Sequence, residues 1–213
     1  MKKLIGLLAV IFIANVSQVF ATATDCTVGA EVKAGTTVIG YAFYCKDDAE
    51  SQKLLSKSSF EGYFGKTLVG LMAAPQDQGK MAWSKEFSVT GVTATQVGAG
   101  LHNTIELVDK IHQDEDFAAL SCFNKGYGDA SIWQTRWFLP SQDELNLMHK
   151  NLFSDGNNKG KFKFIDGWYW SSSEYDYVNA WLQYFVNVIR SVVDQDYDYK
   201  GVSDGRVRCA QAF

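Results

Sequence analysis

Four cysteines behind an export signal constrain this fold more than any other feature. Lys2 and Lys3 precede an apolar run, 4–16, too short to span a membrane, and Val19, Ala21 and Ala23 offer small residues for cleavage. Residues 1–23 read as a signal peptide and 24–213 as a single domain with a periplasmic, secreted or cell-surface destination. Cys26 lacks the context of a lipid-modified cysteine, so a soluble product is expected. Cys26, Cys45, Cys122 and Cys209 all follow the signal, and an even count in an oxidising compartment favours two bridges. Three pairings exist, of which Cys26–Cys45 with Cys122–Cys209 is the expected one. The second bridge would close a loop of about 90 residues, worth on the order of 4 kcal/mol by chain entropy. A zinc site is disfavoured, because there is no Cys-x-x-Cys and His102, His112 and His149 are scattered.

With 46% hydrophobic residues, 21% charged and 2 Pro, the chain has the composition of a globular domain. Without Lys2 and Lys3 it holds 18 bases against 24 acids, a net charge of −6, which argues against a nucleic-acid partner. No second apolar span is present, so no transmembrane segment is expected. Six of the ten tyrosines lie between Tyr169 and Tyr199, which points to a contact surface.

Along the chain an early β region gives way to a helical middle and a β-rich end. Strands are predicted at 38–44 and 69–74, with a polar excursion or short helix at 46–57. Asn103 is placed as the cap of a helix carrying Ile105, Val108 and Ile111 on one face, ending near 114–116. Ser141 and Glu144 have capping-box spacing ahead of Leu145, Met148 and Leu152, which predicts a helix over 142–152. Segments 162–172, 178–188 and 206–213 read as strands separated by turn residues.

A set of ordered motifs carries a resemblance. It comprises Leu71-Met72-Ala73-Ala74-Pro75-Gln76-Asp77-Gln78, Trp83-Ser84, Val97-Gly98-Ala99-Gly100 with Asn103-Thr104, and Trp137-Phe138-Leu139-Pro140-Ser141-Gln142-Asp143-Glu144-Leu145-Asn146. Tyr169-Trp170-Ser171-Ser172-Ser173-Glu174-Tyr175, Asn179-Ala180-Trp181, Phe185 and Arg206-Val207-Arg208-Cys209 complete it. Over 38–213 the chain resembles the Lcl C-terminal domain family, named for the end domain of a bacterial collagen-like adhesin. The resemblance implies an α+β, C-type-lectin-like fold: small twisted antiparallel sheets, two main helices and much irregular structure. Residues 46–66 look inserted relative to the family's short hairpin, and Val188 stands where the family often has Gly. By analogy, a homo-oligomer, a trimer, is left open. Trp170 and Trp181 belong to the family framework and are expected in the core, with Trp168 the more exposed.

The expected binding surface lies at 176–199. It comprises Asp176, Tyr177, Val178, Leu182, Tyr184, Val186, Val188, Arg190, Asp194, Asp196, Tyr197, Asp198 and Tyr199 around the framework residues. Tyrosine supplies large amphipathic contact area at low entropic cost. Relatives of the family include targets of diversity-generating retroelements, which scatter residue types over such a segment; the competing reading puts Val178, Leu182 and Val186 against a core. Asp194, Asp196 and Asp198 resemble the start of a calcium loop, but Tyr199 and Gly205 replace the required Gly and Glu. Calcium is therefore the weaker reading, no cofactor is expected, and the acids read as a solvated face or a contact for a cationic ligand. An alternative site for sulfated glycosaminoglycans, which the resemblance brings in, is the lysine set Lys150, Lys159, Lys161 and Lys163.

Enzymatic motifs are missing: there is no Gly-x-Ser-x-Gly, phosphate loop or His-Glu-x-x-His, and Asp143 and Glu144 are explained by capping. His149 is read as a surface residue. The expectation is a non-enzymatic, exported protein that binds a protein or glycan on another cell or host surface. Adhesion through the lysines, or an envelope component without a specific ligand, are the alternatives.

Overall fold

The computed structural model describes residues 26–85, 89–111, 116–126, 136–153, 161–186 and 195–213. The signal peptide, His112, Lys159, Val188, Arg190 and Asp194 lie outside them. The first strands are β1 (Glu31–Ala34), β2 (Thr37–Cys45) and β3 (Gly70–Ala73). Together with β9 (Ala210–Ala212) they form an antiparallel sheet in the order β1-β2-β3-β9. A second, mixed sheet has the order β4-β8-β5-β6-β7, from β4 (Gly79–Lys80), β5 (Gly167–Glu174), β6 (Asn179–Phe185), β7 (Gln195–Tyr199) and β8 (Arg206–Val207). The fold is α+β. The two main helices are α3 (Gly100–Lys110) and α5 (Gln142–Met148), the latter continued by a π-helical turn, His149–Phe153.

The segment expected as an insertion folds into α1 (Ala49–Gln52) and α2 (Lys57–Phe64), capped by Asp48 and Ser56. It is not a loose excursion, because Phe60 and Phe64 are fully buried and Tyr44 stacks on Phe60 at 5.3 Å. The capping box of α5 forms as the spacing predicted: Ser141 and Glu144 each satisfy the other's backbone N–H.

The hairpin β5–β6 divides two hydrophobic clusters. Tyr169 and Phe185 pack into one with Phe43, Phe138 and Leu145, while Trp170 and Leu182 pack into the other with Trp83, Phe117 and α4 (Ala118–Phe123). Adjacent residues point to opposite faces of a strand, so a hairpin between two cores must be apolar on both. Both disulfides form in the expected pairing. Cys26–Cys45 ties the described N-terminus to β2, and Cys122–Cys209 ties α4 to the end of the second sheet, with Cα atoms 5.5 and 5.4 Å apart.

Two expectations are corrected. Asn103 is not a cap: α3 starts at Gly100, and the buried Asn103 amide donates to Ala94 O at 2.7 Å and Ser172 Oγ at 3.2 Å, binding the preceding loop to β5. The strand expected from 162 begins only at Gly167. The backbone before it is held by side chains instead of a ladder. Arg208 donates to Phe162 O and Lys163 O, and the Tyr169 hydroxyl bonds both N–H and C=O of Ile165.

Candidate functional site

The hairpin turn between β5 and β6 is built by one side chain. Asp176 Oδ1 accepts from the N–H groups of Val178 and Asn179, both at 2.8 Å, and the Asn179 amide bonds both carboxylate oxygens. The Asn179 side chain, followed by the backbone donors, holds the Asp176 carboxyl below its ordinary pKa. Asp176 is thus committed to the turn, as an Asx motif.

The far end of β7 is fixed by a buried ion pair. Lys200 Nζ meets Glu174 Oε1 at 2.5 Å, with both side chains essentially inaccessible, and also donates to Tyr177 O at 3.0 Å. Glu174 accepts in addition from the N–H groups of Thr90 and Gly91, each at 2.8 Å, and the ammonium sits 5.1 Å from the Trp83 ring centroid. The end of β5, the turn at Tyr177, the loop at Thr90 and Gly91 and the end of β7 are thus held by one buried charge pair.

On that anchored frame sits an aromatic cluster. Tyr175 and Tyr197 stack with centroids 3.9 Å apart and planes 5° from parallel. Trp181 stands perpendicular to both, at 4.8 Å from Tyr175 and 6.0 Å from Tyr197. Tyr197 lies directly opposite Trp181, and Tyr199 opposite Asn179, across the β6–β7 ladder. Tyr175, Tyr177, Tyr197 and Tyr199 are all exposed, between 42% and 54%. The neighbouring Tyr197 hydroxyl is the main cause that raises the Tyr175 phenol above its ordinary pKa.

The structure sorts the expected contact residues. Tyr177, Asp196, Tyr197, Asp198 and Tyr199 are exposed, and Val178, Tyr184 and Val186 are half-buried, Tyr184 packing its ring 4.7 Å from Trp168. Leu182 is a correction: it is 3% exposed, packed in the cluster of Trp83 and Trp170, and so belongs to the core. Trp181 is a correction of the opposite kind. It is half-buried under the two tyrosines, while its strand neighbours Ala180 and Leu182 fill the core on the other face. Tyr175, which the sequence places in a framework motif, is exposed and stacked in this cluster; its place one residue before the Asx turn is the signal for that exposure.

The two described acids of the triplet have a specific position. Lys200 N–H bonds to Val178 O, and amides alternate along a strand, so the Tyr197 and Tyr199 N–H groups point away from β6. They donate to Asp196 Oδ1 at 2.9 Å and Asp198 Oδ1 at 2.7 Å. Both carboxylates are thereby turned toward the outer edge of the sheet, while alternation puts the Tyr197 and Tyr199 side chains on the other face of β7 from those of Asp196 and Asp198. No group of metal ligands occurs among the described residues.

The lysines are dispersed in their roles. Lys161 Nζ bonds Gly29 O at 3.2 Å and lies over the Phe162 ring, and Lys163, exposed with φ of 53°, gives its carbonyl to Arg208. Lys150 instead lines a cleft of about 250 Å³ with Asp143, Asn146, Gln96 and the apolar Leu54, Val97 and Leu147. His149 is half-buried, its ring 5.0 Å from Phe185 and 5.4 Å from Phe153.

The motif residues turn out to meet one another inside the protein. Arg208 is buried, bonded to Asp77 Oδ1 at 2.6 Å and to Ala74 O at 2.8 Å, while Tyr169 donates to Asp77 Oδ2 at 2.9 Å. Trp83 donates to Ser171 O at 2.8 Å, and Glu144 accepts from Gly98 N and Ser141 N, both at 2.8 Å. Burial pushes the Glu144 carboxyl up to about 7, against the pull of those N–H donors. Gly100 is required there, since a Cβ would collide with the Glu144 carboxylate.

No known family profile matches the chain, and no curated protein matches it. A solved structure of a fimbrial protein from Bacteroides ovatus ATCC 8483 is similar at 16% identity and a TM-score of 0.50, over 88% of this chain and 49% of that one. The chain thus spans about half the length of that structure. No described helix is long and apolar enough to cross a membrane. The likeness concerns the fold alone: this chain is an α+β protein, stapled by two disulfides of its own, whose fold resembles part of that fimbrial protein.

Proposed function

We propose that this chain is an exported, non-enzymatic ligand-binding protein of the Lcl C-terminal type, with a C-type-lectin-like frame, and that 175–199 is its contact surface. The observation that carries the reading is the exposed stack of Tyr175 and Tyr197 against Trp181 at the edge of a sheet anchored by a buried ion pair. Rigid aromatic side chains on a rigid edge are the economical way to present contact area. The fold shared with a fimbrial protein supports a role at a cell surface.

The test is pull-down and surface plasmon resonance against purified surface fractions, comparing the wild type with Tyr197→Ala. Saturable binding that the variant loses supports the reading, and saturable binding indifferent to Tyr197 refutes it. Heparin binding that Lys161→Ala with Lys163→Ala abolishes, and Tyr197→Ala leaves intact, favours the glycan alternative. Diversification of the surface is tested by reading codons 174–205 across isolates. Variation at Tyr177 and at 196–199 with Trp181 and Phe185 fixed is its expected signature.

A further inference from the structure

We infer that the ligand of this surface is a protein segment rich in lysine or arginine, bound by its side chains at the outer edge of β7. The inference rests on the proposed contact surface and specifies what fills it. Three observations converge. The first is charge: the described residues from Glu174 to Tyr199 include no Lys, Arg or His, Arg190 lying outside them, whereas Asp196 and Asp198 are exposed acids. Lys200, the base that follows β7 among the described residues, is buried and paired with Glu174, so it offers no positive charge to solvent.

The second is the ring geometry. A cation is attracted to the face of an aromatic ring within about 6 Å of its centroid, and Tyr175, Tyr177, Tyr197 and Tyr199 leave 42–54% of their surfaces open. The third is the edge itself. A free strand edge ordinarily invites another strand through its unpaired N–H groups. Here the outward N–H groups of Tyr197 and Tyr199 are already bonded to the carboxylates of Asp196 and Asp198. Strand addition is blocked, so recognition falls to side chains. Those bonds also hold two carboxylates at the edge whose one face carries the tyrosines, so a segment lying along it can offer one cation to a ring face and the next to a carboxylate.

The experiment titrates the exported chain by calorimetry with end-blocked Lys-Gly, Arg-Gly and Ser-Gly repeat peptides of equal length. The expected result is saturable, salt-sensitive binding of the two cationic peptides and none of the Ser-Gly peptide. Tyr175→Ala and Tyr197→Ala each weaken binding roughly two- to fivefold, the range of an exposed cation–π contact, while the Phe variants retain it. Asp196→Asn with Asp198→Asn lowers both the affinity and its salt dependence. Equal binding of the Ser-Gly peptide, or of a neutral glycan, that depends on Tyr197 but not on the two acids overturns the cationic ligand and leaves the contact surface standing. Cationic peptide binding indifferent to Tyr175 and Tyr197 is attraction to net charge only and overturns both. Absence of any cationic peptide binding overturns the inference.

Discussion

Replacing Lys200 by Met probes the anchor on which the tyrosine surface depends. The substitution keeps length and apolar character, and removes an ammonium bonded to Glu174 Oε1 and Tyr177 O. Removing one member of a buried ion pair costs about 3–5 kcal/mol, because the remaining charge is stranded. Glu174 retains the N–H groups of Thr90 and Gly91, which places the ionic loss near the lower end, about 3 kcal/mol. The lost bond to Tyr177 O adds about 1 kcal/mol. With an m-value of about 2 kcal/mol/M, a total of about 4 kcal/mol moves the urea midpoint down by about 2 M. The assay is urea unfolding at pH 7 followed by tryptophan fluorescence, with Glu174→Gln and the double variant closing a cycle. The double variant should lose well under the sum of the two single losses, since neither partner is left charged alone. A Lys200→Met loss below about 1 kcal/mol refutes the reasoning, because an exposed pair would behave that way.

Cys122→Ala with Cys209→Ala should destabilise by about 4–5 kcal/mol and Cys26→Ala with Cys45→Ala by about 3 kcal/mol, as their loops span 87 and 19 residues; calorimetric unfolding ranks them. The Glu144 pKa is raised from 4.5 in the unfolded chain to about 7, so its contribution is fully present below pH 4.5 and is lost as pH rises through 7. The loss is on the order of 3 kcal/mol, and Glu144→Gln should flatten the wild-type fall in urea midpoint over that window; parallel curves would contradict the burial argument. Asp196→Ala with Asp198→Ala frees the edge N–H groups of Tyr197 and Tyr199, and sedimentation velocity should show larger species than the wild type does. An unchanged distribution would show that the carboxylates do not guard the edge.

What was legible in the sequence follows from how local each signal is. The α5 capping box needs four consecutive residues and forms as its spacing predicts. The disulfide pairing needed only export and an even count to be limited to three choices. Asn103 misled because a cap and a buried amide demand the same residue type, and the choice was made by Ala94 and Ser172, which are distant in the chain or in another element. Leu182 and Trp181 were misassigned for one reason: alternation separates the two faces of a strand, but not which face is covered at which end. On β5 and β6 both faces are covered near Tyr169 and Phe185, whereas near Trp181 one face emerges. The acid triplet looked like a metal loop or a solvated face because the edge position of Asp196 and Asp198 depends on the neighbouring strand β6.

The motifs that carried the resemblance lend Tyr175 and Trp181 to the proposed contact, but most of their residues are buried elsewhere, and this separation has a measurable consequence. Asp77, Trp83, Asn103, Glu144, Tyr169 and Arg208 meet in buried hydrogen-bond networks that hold sheets and helices in register. Such residues specify a frame and are silent about a ligand. Tyr177, Tyr197 and Tyr199 lie outside them, exposed, with a hydrophobic loss on substitution limited to partial burial. Tyr177→Ser and Tyr199→Ser should each cost less than about 1 kcal/mol, while Arg208→Met strands Asp77 and several carbonyls and should cost about 3–5 kcal/mol. If the tyrosine variants proved as destabilising as Arg208→Met, the surface would be part of the frame. Its tyrosines would then be explained by folding, with no ligand required.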